Sequence, residues 1–346
     1  MDLEIYWLDE LSKEYNDVVG KKCANLGELV KLGLRVPYGF ALSVKAYENF
    51  MEQTGLKEKV VQIVEKETKA GLDVDKDIDK MIGMSANIRE AIEGCDMPAD
   101  LARKIGNYYA ELQRKVGITG VPCAVRSSGA VSMPGQMETY LNVKGESEII
   151  KHVQKVWGSA FTTRAIVFRI HNNMPIPWAP IGVAVIMMID AKSAGVILTV
   201  LPTIGDLDRA IVEGNFGLGE SVVSGEITPD SFVVNKNEMC IESRSVAEKT
   251  KMVVYSKSGT AVGEVPVELR KTSCLDDKEI LEIVRVAKDV EKHFGNPQDM
   301  EWVVDKRFTF PENIFWVQAR GAKYTKKEKG KDEEYVIDLM LQLFRR

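Results

Sequence analysis

The 346-residue sequence has few of the residues that would build a disulfide framework or a histidine metal centre. Its five cysteines lie far apart and form no Cys-x-x-Cys pair, and it has only three histidines. An odd number of widely spaced cysteines favours free thiols in a reducing compartment. We therefore expect neither a disulfide scaffold nor a structural zinc site. A catalytic histidine must come from His152, His171, His293 or another chain.

The sequence also lacks a long apolar run, a signal peptide and a basic stripe. No apolar run reaches the roughly 18 residues of a membrane span. Residues 1–10 have neither the basic start nor the apolar core of a signal peptide. The formal net charge is -5, with no dense lysine and arginine cluster to attract nucleic acid. These features predict a cytoplasmic protein that binds neither membranes nor nucleic acid.

The spacing of apolar residues predicts an α+β fold. From residue 181 onwards, apolar runs rich in β-branched residues predict strands. One strong helix, from about Asp276 to Phe294, precedes two further strands that are separated by a Phe-Pro-Glu-Asn turn. Apolar residues at helical spacing predict other helices over residues 43–50, 77–92, 98–116 and 146–170.

The change from helical to strand-like patterns along the chain predicts two lobes. Residues 171–180 contain three prolines and two asparagines, which break the preceding helical pattern. We therefore predict a helical N-terminal lobe over residues 1–178 and a sheet-rich lobe over residues 179–322. Residues 323–346 are predicted to form a charged linker and an amphipathic helix, which either docks a partner or packs on its own domain.

The segment VGKKCANLGEL, residues 19–29, places Gly20 directly before Lys21 and Lys22 at the start of a helix. A lysine there is a compact positive charge for phosphate groups, and the helix N-terminus adds to the attraction. The spacing of a Walker A loop is absent. The simpler alternative is a pair of solvated lysines.

The segment from residue 123 to 143 places Arg126 at the end of a predicted strand, before the small residues SSGAVSMPG. Small residues let backbone N–H groups approach phosphate oxygens, and the arginine guanidinium offers a fork of donors that matches phosphate geometry. An arginine that pairs with a carboxylate to fix the turn is an equally good interpretation of the residues alone.

A third segment, residues 210–230, is rich in glycine, with glutamates such as Glu213 among the glycines. Glycines at this density indicate tight turns or close backbone approach. A turn-rich connection between strands is the simpler interpretation, because a lone glycine-rich stretch is weak evidence for a nucleotide loop.

The last two predicted strands carry Asp299, Glu301, Gln318 and Arg320. Residues two apart in a strand share one face, so paired strands would bring the carboxylates, the carboxamide and the guanidinium together. Oxygen ligands of this kind suit Mg²⁺, which is commonly held by one or two carboxylates and nucleotide phosphates. An ordinary amphipathic hairpin with a solvated polar face is the alternative.

Together these segments resemble the N-terminal nucleotide-binding domain of the phosphoenolpyruvate synthase and pyruvate phosphate dikinase family. The resemblance covers residues 18–320 and rests on the segments VGKKCANLGEL, VRSSGAVSMPGQMETYLNV, GVILTV, GNFGLGESVVSGEITPD and PQDMEW with VQAR. It implies an ATP-grasp fold, with ATP in the cleft between a helical and a sheet-rich lobe.

The resemblance also implies a role for each site residue. Lys22, Arg126 and Arg320 would act in catalysis. A covering loop that includes Gly135, Gln136 and Thr139 would lie over the ATP phosphates. The ligands of Mg²⁺ would come from Glu301, Gln318 and Asp299.

Two departures from the family pattern bear on the site. The family commonly has Gly-Gly-Lys-Gly where this chain has Gly20 to Cys23, which adds a charge and a larger side chain beside Lys22. Where the family offers a glutamine near adenine, the chain has Ile186. We therefore expect phosphate binding to follow the family more closely than adenine binding does.

Full-length members of the family also carry a swivelling domain with a phosphorylatable histidine, and no such motif is present here. The arrangement looks like phenylphosphate synthase, whose ATP-binding subunit phosphorylates a histidine of a partner subunit. It implies that ATP yields AMP and phosphate, with onward transfer to a small acceptor such as phenol or pyruvate. The alternatives are a ligase that forms an acyl phosphate and ADP, and a non-catalytic nucleotide sensor.

Overall fold

A computed structural model shows two compact units. Met1–Ile189 with Tyr255–Ala261 forms the first unit, and Asp190–Val254 with Val262–Arg346 forms the second. No helix in the described part of the chain has the length and apolar character needed to cross a bilayer. The structure describes residues 3–69, 71, 73, 76–130, 136–223, 225 and 227–325.

The described residues of the first unit contain eight α-helices. Ser43 caps the helix predicted over residues 43–50 and accepts a hydrogen bond from the Ala46 N–H at 3.3 Å. The predicted helix over 146–170 is two helices, because the chain breaks at Thr162, whose side chain caps the second one. The helices are α1 (Asn16–Val19), α2 (Lys21–Lys31), α3 (Val44–Gln53), α4 (Leu56–Thr68), α5 (Ile78–Glu93), α6 (Ala99–Val116), α7 (Glu146–Ser159) and α8 (Thr163–His171).

A five-stranded antiparallel sheet completes the first unit, in the order β1-β2-β5-β3-β4. Its central strand β5 is fully buried and pairs with β2 and β3. The boundary between the units therefore lies after Ile189 and not after the predicted residue 178. The strands are β1 (Ile5–Trp7), β2 (Gly39–Leu42), β3 (Cys123–Ser128), β4 (Thr139–Val143) and β5 (Gly182–Met187).

The second unit is built on a six-stranded antiparallel sheet in the order β13-β12-β6-β7-β8-β9. The apolar runs beyond Ile189 form strands here, as predicted. The elements after β5 are β6 (Ala191–Leu198), β7 (Arg209–Phe216), α9 (Glu220–Val223), β8 (Asp230–Asn235), β9 (Cys240–Ser245), β10 (Lys251–Tyr255), β11 (Thr260–Glu264), α10 (Asp277–Phe294), β12 (Gln298–Asp305) and β13 (Ile314–Gly321). Strands β10 and β11 form a separate two-stranded sheet.

Helix α10 confirms the strongest helix prediction of the sequence. Asp276 caps its first turn by accepting from the Glu279 N–H at 2.8 Å, and the Glu279 side chain accepts from the Asp276 N–H at 3.0 Å. This reciprocal pair is a capping box. Ile280, Ile283 and Ala287 form part of one buried face at helical spacing.

The indole ring of Trp302 lies where a side chain at Gly195 of β6 or Gly214 of β7 would have to fit. Gly195 of β6 lies opposite both Trp302 of β12 and Gly214 of β7. A Cβ added at either glycine would come within 2.7 Å of the buried indole ring. Gly214, in the glycine-rich segment, therefore makes room for a core side chain.

A fully buried ion pair joins β8 to the segment that follows β9. The Lys249 Nζ lies 2.6 Å from Asp230 Oδ1, and both side chains have no solvent exposure. Asp230 also accepts from the N–H groups of Ala247 at 2.9 Å and Cys274 at 2.8 Å. Because its carboxylate is satisfied from three sides, the pair avoids the full cost of burying a charge.

We predict that Lys249→Met destabilises the second unit by about 3–5 kcal/mol, because it leaves the Asp230 charge buried without its cation. Urea unfolding at neutral pH measures the change. Lys271→Met is the control, since that lysine is 77% exposed and its ion pair with Glu248 lies in solvent. Equal stability of both variants would contradict a structural role for the buried pair.

Candidate functional site

The end of β3 holds the first turn of α2. The Lys21 N–H donates to Gly129 O at 3.0 Å, and the Cys23 N–H donates to the buried Ser128 Oγ at 3.1 Å. A helix begins with N–H groups that have no partner within the helix. Two of the first three are bonded here to residues at the end of β3.

Lys22 reaches the same strand end with its side chain. Its Nζ donates to Ser127 O at 3.1 Å, and Ser127 directly follows Arg126 in β3. Both Lys22 and Arg126 are partly exposed, whereas Ser127 and Ser128 are buried. The structure therefore brings the ammonium group of Lys22 next to the strand that carries Arg126, across 105 residues of sequence.

Gly20 makes this close approach possible. Its φ is +81°, and a Cβ at this position would lie 1.9 Å from Ser128 O. A side chain is excluded twice, by the left-handed backbone and by the contact. The sequence placed Gly20 next to the lysines, but only the structure shows that its partner is Ser128.

Cys23, which follows Lys22 at the start of α2, packs into the core. Its side chain is fully buried, and burial raises the pKa of the thiol to about 11. Lys21 is exposed. The larger side chain is thus part of the core, and the added charge of Lys21 is on the surface.

Arg126 and Thr139 lie directly opposite each other in the β3–β4 pair. Opposed residues of an antiparallel pair have side chains on the same face, so the register brings together two of the predicted phosphate-binding residues. Gln136 is held through its backbone, because the Thr162 hydroxyl donates to Gln136 O at 2.7 Å. Gly135 lies outside the described residues. We call Lys22, Arg126 and Thr139 the Lys22 cluster.

In the second unit, β12 and β13 pair as the sequence predicted. Glu301 lies opposite Gln318, and the Gln318 Nε2 donates to Glu301 Oε1 at 2.6 Å. The register shifts immediately after Glu301, so that Trp302 lies opposite Trp316 and Val317 is the extra residue of a bulge. Such bulges redirect side chains next to them.

Asp299 and Arg320 form the second opposed pair of this hairpin. The Arg320 Nε and Nη2 lie 2.8 Å and 2.7 Å from the same atom, Asp299 Oδ2. The arginine side chain is 44% exposed, so the pair adds little stability. We call Asp299, Glu301, Gln318 and Arg320 the hairpin cluster.

Glu213 of β7 belongs to the same cross-strand row as Glu301. Val196 of β6 lies opposite both glutamates, so Glu213 is two strands away on the same face. It is partly buried, and burial raises the pKa of its carboxyl above the ordinary value. The only sequence signal for it was a charged residue in an otherwise apolar strand segment.

All three histidines lie on helices. The half-buried His152 is in α7, with Nδ1 2.7 Å from Glu148 O, and its ring packs edge to face on Tyr140. His171 ends α8 and is exposed. His293 lies in the last turn of α10.

The chain matches the family described as "Pyruvate phosphate dikinase, AMP/ATP-binding domain" over residues 16–338. A mixed helix and sheet fold with a match of this extent defines an ATP-binding domain. The chain belongs to the pyruvate phosphate dikinase AMP/ATP-binding domain family.

Its relatives include proteins named as phosphoenolpyruvate synthases. The chain is 37% identical to a probable phosphoenolpyruvate synthase of Methanocaldococcus jannaschii, over 98% of this chain and 28% of the relative. It is 37% identical to a probable phosphoenolpyruvate synthase of Staphylothermus marinus, and 34% to the phosphoenolpyruvate synthase of Aeropyrum pernix. Each of those two matches covers 95% of this chain and 43% of the relative. The chain thus spans less than half the length of these relatives.

We predict that Gly20→Ala is far more destabilising than Gly33→Ala. Both glycines have a positive φ, which costs an alanine about 1–2 kcal/mol. A Cβ at Gly33 meets nothing within 4 Å, whereas one at Gly20 meets the backbone of Ser128. The contact adds about 1–3 kcal/mol or more at Gly20. Thermal unfolding measures both variants, and equal losses would refute the contact.

Glu213→Gln should stabilise the protein at pH 7 and not at pH 4. The raised pKa means that folding disfavours the ionised carboxylate. Stability is therefore lost as pH rises from the unfolded-state pKa, near 4.3, through the higher folded-state value. Urea unfolding at both pH values tests this, with exposed Glu268→Gln as control. A gain of the same size at pH 4 would show that ionisation is not the cause.

Proposed function

We propose that this chain binds Mg·ATP and transfers a phosphoryl group from it to a histidine of a partner subunit. The observation that carries the proposal is the opposition of Glu301 and Gln318 across β12 and β13, with their side chains 2.6 Å apart. A carboxylate and a carboxamide fixed side by side form an oxygen-rich ligand pair. Membership of an AMP/ATP-binding family supports the choice of nucleotide.

The Lys22 cluster would bind the phosphate groups. Lys22 supplies a compact positive charge, and Arg126 supplies a planar fork of donors. Thr139 lies opposite Arg126 and is exposed, which leaves its hydroxyl accessible. Gly135 and Gln136 would complete the covering loop, as the family resemblance implies. Phosphoryl transfer depends mainly on positioning and charge neutralisation, which is what such a set provides.

The hairpin cluster would hold Mg²⁺ and stabilise the transferred group. Within the described residues, no three His, Cys, Asp or Glu side chains cluster so as to hold a metal ion. The ligands would therefore be Glu301, Gln318 and the nucleotide phosphates, an arrangement that suits Mg²⁺. When bound, the ion neutralises phosphate charge. Since Asp299 Oδ2 accepts both bonds from Arg320, a metal role for Asp299 falls to Oδ1.

Arg320 would act as the second guanidinium of the reaction. Asp299 holds its Nε and Nη2, which fixes the plane of the guanidinium group. A planar donor group held in advance loses little freedom when it binds phosphate. In this proposal Asp299 therefore orients Arg320, and Arg320 contacts the phosphoryl group.

The acceptor would be a histidine carried by a partner subunit, with AMP and phosphate as the other products. His152, His171 and His293 lie on helices α7, α8 and α10, and none of them belongs to the Lys22 cluster or the hairpin cluster. The names of the relatives, phosphoenolpyruvate synthases, favour pyruvate over phenol as the final acceptor.

Adenine would be bound differently from the phosphates. Ile186 is buried in β5, between Gly39 of β2 and Ala124 of β3. An isoleucine side chain offers no hydrogen bond to a base edge. Backbone groups would therefore have to supply the polar contacts to adenine in this region.

Lys22→Ala should weaken Mg·ATP binding about 10-fold to 100-fold, because it removes a charge-assisted hydrogen bond to phosphate. Lys21→Ala is the matched control, since this neighbour is exposed and its side chain is not in the Lys22 cluster. Titration calorimetry gives both affinities, and circular dichroism confirms the fold. If Lys21→Ala and Lys22→Ala bind Mg·ATP equally, the assignment of Lys22 is wrong.

Glu301→Ala should abolish phosphoryl transfer while leaving the fold intact, because a ligand of the metal is lost. The assay follows AMP from ATP in the presence of a histidine-bearing partner subunit and pyruvate. Formation of ADP without any partner would instead support a ligase that makes an acyl phosphate. Full activity of Glu301→Ala would contradict the metal assignment.

A further inference from the structure

The short segment from Gln136 to Thr139 carries an ion pair that the proposed function does not use. The Arg89 Nη2 of α5 lies 3.2 Å from Glu138 Oε2, and its Nε donates to Glu93 Oε1 at 3.1 Å. Both side chains of the Arg89–Glu138 pair are about 30% exposed. The Tyr140 hydroxyl donates to the same oxygen of Glu138. Two partners therefore hold this carboxylate in a partly buried setting.

The segment is also held at its other end. The Thr162 hydroxyl donates to Gln136 O at 2.7 Å, and Thr162 is the capping residue of α8. The two anchors come from α5 and from the start of α8. They lie only two residues apart in the segment, so they fix the backbone that leads into β4.

The Arg89–Glu138 ion pair affects the direction of Thr139, because Glu138 directly precedes it. Successive side chains of β4 point to opposite sides, and Tyr140 bonds Glu138, so Thr139 between them points to the other side. Glu138 points towards α5, where Arg89 binds it, and the next residue is Thr139. Thr139 lies opposite Arg126, with its side chain on the same face. Holding Glu138 on one side therefore directs Thr139 to the side of Arg126.

Resting on the proposed function, we propose that Arg89 is a positioning residue for phosphate binding, which acts through Glu138 on Thr139 and Arg126. Arg89 itself contacts no substrate. The Arg89 guanidinium binds the carboxylates of Glu93 and Glu138. The bond to Glu93 restricts rotation of the Arg89 side chain and so holds the group that binds Glu138. The pair sets the direction of Thr139 before the nucleotide binds.

The test compares the affinities for Mg·ATP and AMP in Arg89→Ala. A displaced Thr139–Arg126 pair should weaken Mg·ATP binding about tenfold, because small errors of position are costly at phosphate sites. AMP has only one phosphate, so its affinity should change about twofold or less. A merely structural loss would weaken both nucleotides equally. That outcome, measured by titration calorimetry with circular dichroism as a check of folding, would overturn the proposal.

Further variants separate this inference from the proposed function. Glu138→Gln should have the effect of Arg89→Ala, and the double variant should be no worse than either single one, since the residues act as a unit. Additive losses would overturn the pairing.

Arg89→Lys should keep part of the Mg·ATP affinity that Arg89→Ala loses, and the exposed Arg103→Ala should leave the affinity unchanged. If both Arg89→Ala and Arg126→Ala leave Mg·ATP binding unchanged, the proposed function fails. If only Arg89→Ala does so, the positioning role fails.

Discussion

The contact between Gly20 and the end of β3 is the constraint on which the Lys22 cluster depends. The N-cap of α2 is a glycine, which has no side chain to accept from the first N–H groups. Ser128 and Gly129 accept two of them from a distant part of the chain. The end of β3 therefore determines where helix α2 begins. The same contact places Lys22 beside the strand that carries Arg126, so that helix start and candidate site are one structural feature.

The hairpin cluster depends on a different principle. Its two strands are close in sequence, and their alternation alone brings Asp299 opposite Arg320 and Glu301 opposite Gln318. The rest of the sheet supplies a rigid support. Trp302 is buried over glycines of two neighbouring strands, which fixes β12 immediately next to Glu301. Local sequence therefore sets which side chains meet, and the packing of one large aromatic residue sets how firmly they are held.

Local sequence patterns identify single helices and strands better than they identify the neighbours of each strand. Periodicity predicted α10 from about Asp276 to Phe294, because its apolar residues recur at helical spacing, and the structure shows the helix over Asp277–Phe294. It assigned the apolar run of β5 to the second unit, although β5 pairs in the first. An apolar run indicates a buried strand but carries no information about its neighbours. The break at Thr162 was missed because apolar residues continue at helical spacing across it.

The sequence by itself determined the chemical types available to the chain and the elements that hold them. It indicated a lysine at a helix start, an arginine at a strand end, and two carboxylates that alternate along a late strand, because these are properties of neighbouring residues. Only the tertiary structure decided that Ser128 binds the start of α2, that Cys23 is buried, and that Arg89 holds Glu138. These contacts join residues that are far apart in sequence. Burial and pairing at such distances depend on the whole packed fold, which local periodicity does not encode.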